Sequence, residues 1–299
     1  MSNIYYEYVM LKNRAIINLV FDLLEPLHIG ERLEGNIKKI VRFNINGKYV
    51  PFIPSESIKG TFRNIATKIA KEIFNYIEDI DLKEVVKIHN KDTHISSDEV
   101  INNYITAAEN WIIENNIISK DKIKELSDYE IVDMYLSFKC PICKLFGSKT
   151  LSSKLIFYDS FFTIDSNIFN YTSTSINRKA GIVEEGHLYQ IEYVPPSRLN
   201  KVIIKIIADN VMPRFNDAKL LANVLNYVKN SGLCVGGNKS RGYGLLNLNT
   251  EMSIIKLMEF IDKPRNLDET KKNVKILLQE DEVIKKLVVE EYINYLHGK

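Results

Sequence analysis

The stretch Val235-Gly-Gly-Asn-Lys-Ser-Arg-Gly-Tyr-Gly244 constrains this chain more than any other. Its four glycines allow backbone conformations and close approaches that side chains forbid, so it reads as a tight loop. Before it, residues 216 to 230 place Ala218, Leu221, Ala222, Leu225 and Val228 at helical spacing, and Ser231-Gly232 is a natural helix end. After it, Leu245 to Leu248 reads as a strand. Lys239, Ser240, Arg241 and Tyr243 add charge, a hydroxyl and a stacking face to a backbone open to a bulky anion, a combination that suits a polynucleotide. The phosphate-loop and dinucleotide patterns, GxxxxGK[ST] and GxGxxG, are absent. An ordinary β-turn with solvated cations is the competing reading.

Upstream, Ala15 to Leu24 reads as a buried strand, followed by a charged loop, ERLEGNIKK, and a strand Lys39 to Phe43. Asn46-Gly47 between apolar flanks signals a hairpin returning through Lys48 to Ile53. Pro54-Ser55 opens a helix with Ser55 or Ser57 as N-cap and apolar Ile58, Phe62, Ile65, Ile69 and Ile73. Its start offers unpaired N–H groups, with Lys59 and Arg63 on one face, where a phosphate would bind; a capped helix with two surface cations is the bland alternative. Residues 72 to 138 read as helices with Asn- and Asp-rich joints. Strands follow at Lys154 to Phe162, Leu188 to Val194 and Lys201 to Ala208, and the last 50 or so residues read as helical. This order predicts an α+β fold, an antiparallel sheet with helices on one face, for which a ferredoxin-like core is the natural candidate.

The formal charge of +2 offers no argument for nucleic acid until it is divided. Residues 72 to 138 hold 15 Asp+Glu against 6 Lys+Arg, and the rest of the chain holds 34 basic against 23 acidic residues. An acidic insertion thus offsets a basic remainder. Three cysteines are too few for a disulfide framework and point to a reducing, cytoplasmic setting; no apolar run reaches membrane-spanning length, so no membrane partner is expected. Cys140-x-x-Cys143 is half of a zinc site that His89 and His94 could complete, with Cys234 another possible ligand; such a zinc would be structural. A redox CxxC fits less well, without a thioredoxin-like βαβ pattern around it.

Five segments in order carry a resemblance: Leu27-His-Ile-Gly30; Phe52-Ile-Pro-Ser-Glu-Ser-Ile-Lys-Gly60 with Arg63; Cys140-Pro-Ile-Cys-Lys-Leu-Phe-Gly-Ser148; Ile176-Asn-Arg-Lys-Ala-Gly181 leading to Tyr189-Gln-Ile-Glu192; and Gly236 to Gly244. Together they resemble the CRISPR-associated RAMP superfamily, specifically the backbone subunits of type III effector complexes, which serve antiviral defence. The resemblance implies a modified RRM-like palm (1–71 and 139–250) with a β-hairpin thumb at about 163–200, leaving an acidic helical insertion (72–138) and a C-terminal helical segment (251–299). The implied partners are guide RNA, target RNA and other RAMP subunits. Ser57, Lys59, Arg63, Lys239, Ser240, Arg241 and Tyr243 would hold the guide backbone without sequence specificity, and Arg178 on the thumb would lie near the RNA. Lys38, Lys39 and Arg42 are further phosphate contacts.

Subunits of this kind cleave target RNA with an acidic residue, usually Asp, after the first strand. Here that loop, Glu31 to Arg42, has no Asp. Glu34 is the nearest carboxylate and His28 a conceivable base for an endoribonuclease, although a surface Glu beside Arg32 also fits an ion pair and His28 also fits a packed strand end. Any divalent metal for cleavage is unspecified by the sequence. A zinc-stabilised structural protein without RNA affinity is the third reading.

Overall fold

The computed structural model describes residues 10–76, 79–90, 93–95, 97–162, 167–176, 183–279 and 283–299. Strand β1 (Asn13–Leu23) lies at the centre of a six-stranded antiparallel sheet. Ala15, Ile17, Leu19, Phe21 and Leu23 point to one face and are at most 2% exposed. Alternation along a strand puts them all against the helices. The order is β11 (Leu233–Cys234), β12 (Leu245–Glu259), β1, β10 (Ser197–Asp209), β6 (Leu155–Phe157), with β13 (Lys285–Leu287) pairing on β12. Helices α1 (Ser55–Ile73) and α7 (Asn216–Ser231) pack together on the buried face. Ile58, Phe62, Ala66 and Ala70 form α1's buried stripe, whereas Ile65 and Ile69 are only half-buried and Ile73 is exposed. Truncating Phe62, wholly enclosed, would cost about 3–5 kcal/mol.

Strand β12 runs well past Leu248, the end expected from its sequence, and β13 is also a strand, so the chain after residue 250 is not simply helical. A bulge explains the difference. The register with β1 shifts between Asn18 and Val20, so the inward positions change from Leu246 and Leu248 to Ile255 and Leu257. The Val20 N–H donates to Ser253 Oγ (2.9 Å), which donates to the Asn249 carbonyl (2.7 Å). The buried hydroxyl is thereby satisfied. Helices α8 (Leu267–Leu277) and α9 (Val289–His297) complete this end, α9 burying Val289, Tyr292, Ile293 and Leu296.

Between α1 and the next core segment the chain is helical, as expected: α2 (Ile80–Ile88), α3 (Asp98–Glu114), α4 (Lys120–Ile123) and α5 (Asp128–Lys139). Their apolar residues, among them Val85, Ala108, Ile112 and Leu136, join the same continuous core as β1. A capping box between Ser127 and Glu130 starts α5, and the short α6 (Pro141–Phe146) follows it directly.

The charged ERLEGNIKK segment is a hairpin, β2 (Gly30–Glu34) with β3 (Ile37–Ile40), rather than a loop. The expected strand from Lys39 to Phe43 is divided at Val41, whose N–H turns to the Ile29 carbonyl (2.8 Å). Strands β4 (Arg42–Ile45) and β5 (Lys48–Ile53) meet at the expected Asn46-Gly47 turn, and β7 (Ser160–Phe161) pairs with β5. The long strand expected from Lys154 to Phe162 is instead the two short ones, β6 and β7. In the remaining sheet, β3 runs parallel to β9 (Val183–Tyr193), which pairs antiparallel with β8 (Phe169–Ile176).

Candidate nucleic-acid interface and metal centre

Helix α1 starts without a serine cap. Pro54 is its N-cap residue, and the Ser55 N–H donates to Asp159 Oδ1 (2.7 Å) from the turn between β6 and β7. Ser57 is freed for the flank of the helix, where it lines a cleft with Gly30, Gly60, Thr61, Asn64, Gly236, Gly237 and Lys239. The helix start and the Gly-rich loop, some 180 residues apart in sequence, thus share one wall-to-wall opening. One turn further round, Lys59 and Arg63 face a second cleft closed by the loop from Phe146 to Ser153. Burial lowers the pKa of Lys59, and the Arg63 charge lowers it further. Nε and Nη2 of Arg63 are buried and have no hydrogen-bond partner. An unpaired pair of cations beside a loop rich in hydroxyls is a place for an anion.

The glycines of the loop serve a purpose the sequence did not reveal. A Cβ on Gly236 (φ +81°) would lie 2.4 Å from the His28 carbonyl oxygen, and one on Gly244 (φ +85°) 1.9 Å from that of Val235. Close approach is needed first by the protein's own backbone. Gly237 N–H donates to the His28 carbonyl and Gly244 N–H to that of Pro26, both at 2.8 Å, fixing the loop to the segment before β2. The His28 ring is buried, with Nδ1 2.7 Å from the Glu192 carbonyl, and so joins this segment to β9. Lys239, Ser240 and Arg241 form an exposed 3-10 turn at the loop's tip.

The basic residues of β3 and β4 are arranged differently. Arg42 donates to Glu192 Oε2 (2.5 Å), which also accepts the Ile40 N–H (3.0 Å), so the Arg42 charge is neutralised within the protein. Lys39 pairs with Glu34, and the side chain of Arg32, the partner expected for that carboxylate, lies outside the described residues. Arg178 lies outside the described residues.

An aromatic face was not recognised in the sequence. Phe169 and Tyr193 are opposite each other on β8 and β9, with ring centroids 6.1 Å apart, and Tyr243 meets Tyr193 edge-on at 6.2 Å. Lys38 Nζ sits 4.7 Å above the Tyr189 ring, and Arg241 Nη1 donates to the Tyr189 hydroxyl (2.7 Å). The Tyr243 phenol is raised by burial, then by Tyr193 and Tyr171, and stays neutral at neutral pH. The available signal was the spacing Phe169-x-Tyr171 and Tyr189-x-x-x-Tyr193, which puts these rings on one face once the strands pair.

Cys140, Cys143, His89 and His94 come together as the sequence predicted. Their ligand atoms lie within 4.8 Å of one another, all four residues are buried, and the cluster could hold a metal ion. His89 Nδ1 is 3.4 Å from His94 Nε2, 3.7 Å from Cys140 Sγ and 3.6 Å from Cys143 Sγ. Burial opposes ionisation of Cys140, but hydrogen bonds from Cys143, His89 and His94 outweigh it and hold that thiol low. Cys143 is raised by its hydrogen bond to Cys140 and by burial, and the Arg63 charge acts the other way. Cys234 is elsewhere, its thiol donating to the Tyr243 carbonyl (3.5 Å).

The family model of the RAMP superfamily matches residues 20–247, which takes in both clefts, the His89/His94/Cys140/Cys143 cluster and part of the central sheet. The chain belongs to the RAMP superfamily of CRISPR-associated proteins. Membership brings an RNA-binding, CRISPR-associated role. No match is found among curated proteins. Among the described residues, no helix is long and apolar enough to cross a membrane.

Proposed function

We propose that this chain is a guide-RNA-holding subunit of a type III CRISPR effector complex, gripping the RNA through phosphates and sugars without reading its sequence. The observation that carries the reading is the shared cleft: Ser57 and Gly60 of α1 face Gly236, Gly237 and Lys239 of the Gly-rich loop. Lys59 and Arg63 extend it along the same helix. In the central sheet, the order β12-β1-β10-β6 with helices crossing between β1 and β6 and between β10 and β12 supports a ferredoxin-like palm. The β8–β9 pair supplies the thumb, and the helices from α2 to α5 an insertion whose acidic surface faces away from RNA, toward protein neighbours. The palm extends beyond residue 250, since β12 continues to Glu259.

Zinc fits the buried cluster. With Zn–S near 2.3 Å and Zn–N near 2.0–2.1 Å, neighbouring ligands of a tetrahedral ion stand about 3.4–3.8 Å apart. The three separations from His89 Nδ1, 3.4, 3.6 and 3.7 Å, fall in that range, and all four ligand atoms lie within 4.8 Å of one another. Two histidines and two thiolates with no open position describe a structural centre, joining the segment after α2 to α6. Cleavage is not part of this reading: the His28 ring is buried with Nδ1 engaged, and Glu34 is held by Lys39.

Purification of the protein from its host, with sequencing of the RNA that accompanies it, tests the proposal. Repeat-derived RNA together with other RAMP subunits is the expected result. A protein recovered without RNA would contradict it.

A further inference from the structure

The loop that closes the second cleft is held at both its start and its middle. Residues 146–153 face Lys59 and Arg63 across the opening. The loop leaves directly from α6, where the Cys143 carbonyl accepts the Gly147 N–H at 2.7 Å, and α6 packs against α1. Its start is thereby tied to the two cysteines of the metal-ligand cluster. Its middle is tied to the two histidines. Thr150 Oγ1 donates to Asp133 Oδ2 (2.9 Å) and Lys149 Nζ to the Tyr129 hydroxyl (3.3 Å), and both acceptors stand one turn apart on α5. From the other side, Thr93 Oγ1 donates to Asp133 Oδ1 (3.4 Å) and lies 3.1 Å from the Tyr129 hydroxyl. Thr93 precedes His94, and two backbone hydrogen bonds between Asn90 and Thr93 close the turn that follows His89.

Asp133 is poorly explained by stability. It is 0% exposed, and among the described residues its side-chain donors are two threonine hydroxyls and no cation. Taking a carboxylate out of water for two neutral donors is unfavourable, and an apolar side chain of the same volume would fill the space at less cost. What Asp133 does is join the histidine turn to the cleft loop.

We propose that Asp133 is a positioning residue for the anion cleft, carrying the occupancy of the metal centre to the loop opposite Lys59 and Arg63, so that a loaded centre raises the chain's affinity for RNA. The proposal rests on the RNA-holding reading above and adds the regulation of that site. Ligation fixes the histidine turn against Cys140 and Cys143, and the free energy of ligation orders the segments it joins. Asp133 is then gripped from both sides, and Thr150 is held in place over the cleft. Arg63, whose buried Nε and Nη2 have no hydrogen-bond partner, meets a loop of fixed shape. The coupling is reciprocal, so RNA in the cleft raises metal affinity by the same factor.

Binding of a 15-nucleotide oligouridylate to the full chain, followed by fluorescence anisotropy, tests this with zinc loaded and with zinc removed by a chelator, circular dichroism reporting whether each form is folded. The zinc-loaded chain is expected to bind about tenfold tighter, an ordinary size for coupling between two sites. Asp133→Asn keeps the side chain's size and loses its charge and one acceptor; it should retain its zinc yet bind RNA as weakly as the zinc-free parent, so that zinc no longer matters. Thr93→Val, which cuts the same link away from the cleft, should shift RNA affinity the same way and serves if Asp133→Asn does not fold. A tenfold effect of zinc that survives in the variants would reduce Asp133 to a stabiliser of the fold and overturn the proposal, as would equal RNA affinities of the folded parent with and without zinc. Should zinc removal unfold the chain, the zinc-loaded proteins decide: a tenfold loss in a variant with an unchanged circular dichroism spectrum supports the proposal, and unchanged affinity overturns it. A zinc-loaded parent that binds no RNA would instead overturn the RNA-holding reading.

Discussion

Two strips of basic residues border the same region of the molecule, and they differ in what stands beside them. Along α1 and the Gly-rich loop, Lys59, Arg63 and Lys239 have no carboxylate partner among the described residues. Along β3 and β4, Lys39 pairs with Glu34 and Arg42 with Glu192. A partly buried cation without a partner bears a desolvation penalty that nothing inside the protein offsets, and the lowered pKa of Lys59 records it. An anion arriving beside such a residue would offset that penalty. Paired residues hold the fold together instead, and a count of lysines and arginines cannot tell the two apart.

The comparison can be broken at several points. The most buried ion pair among the described residues, Lys154 with Asp217 at 2.8 Å, marks the fold-holding extreme, with side-chain exposures of 5% and 3%. Lys154→Ala would strand the Asp217 charge and should destabilise the protein by about 3–5 kcal/mol in denaturant unfolding. Arg42→Ala leaves the Glu192 carboxylate largely buried with only a backbone donor; a loss of about 2 kcal/mol is expected, with an unchanged salt dependence of RNA binding. A flattened salt dependence would place Arg42 with the RNA contacts after all. Asp159→Ala removes the carboxylate from the start of α1 and should cost about 1 kcal/mol. RNA affinity should then rise about twofold as a competing negative charge leaves. Lys39→Ala breaks an exposed pair and should change stability by less than about 0.5 kcal/mol.

Local chemistry made part of this legible in advance. The Asn46-Gly47 turn, the buried positions of α7 and the cluster of two histidines and two cysteines each depend on residue types whose requirements are strict: positive φ, helical spacing, donor atoms. Features that depend on distant partners were hidden. Arg42 meets Glu192 across 150 residues, so its pairing has no local trace. The bulge at Ser253 reverses the in-out alternation of β12 and made a 15-residue strand look like a short one. The β2–β3 hairpin was masked by outward-facing charges, and the aromatic face arises only once β8 and β9 are in register. Even the glycines misled in part, since Gly236 and Gly244 are required by the protein's own packing before any ligand arrives.

The central claim is that the unpaired cations of α1 and the Gly-rich loop hold an RNA backbone. The most direct test is the slope of log affinity against log salt concentration for a single-stranded RNA, compared between the unmodified chain and Lys59→Ala/Arg63→Ala/Lys239→Ala. At about 0.7 per single-strand phosphate contact, the triple variant should bind more weakly and lose about two units of slope. The same slope and the same affinity in both proteins would contradict the account.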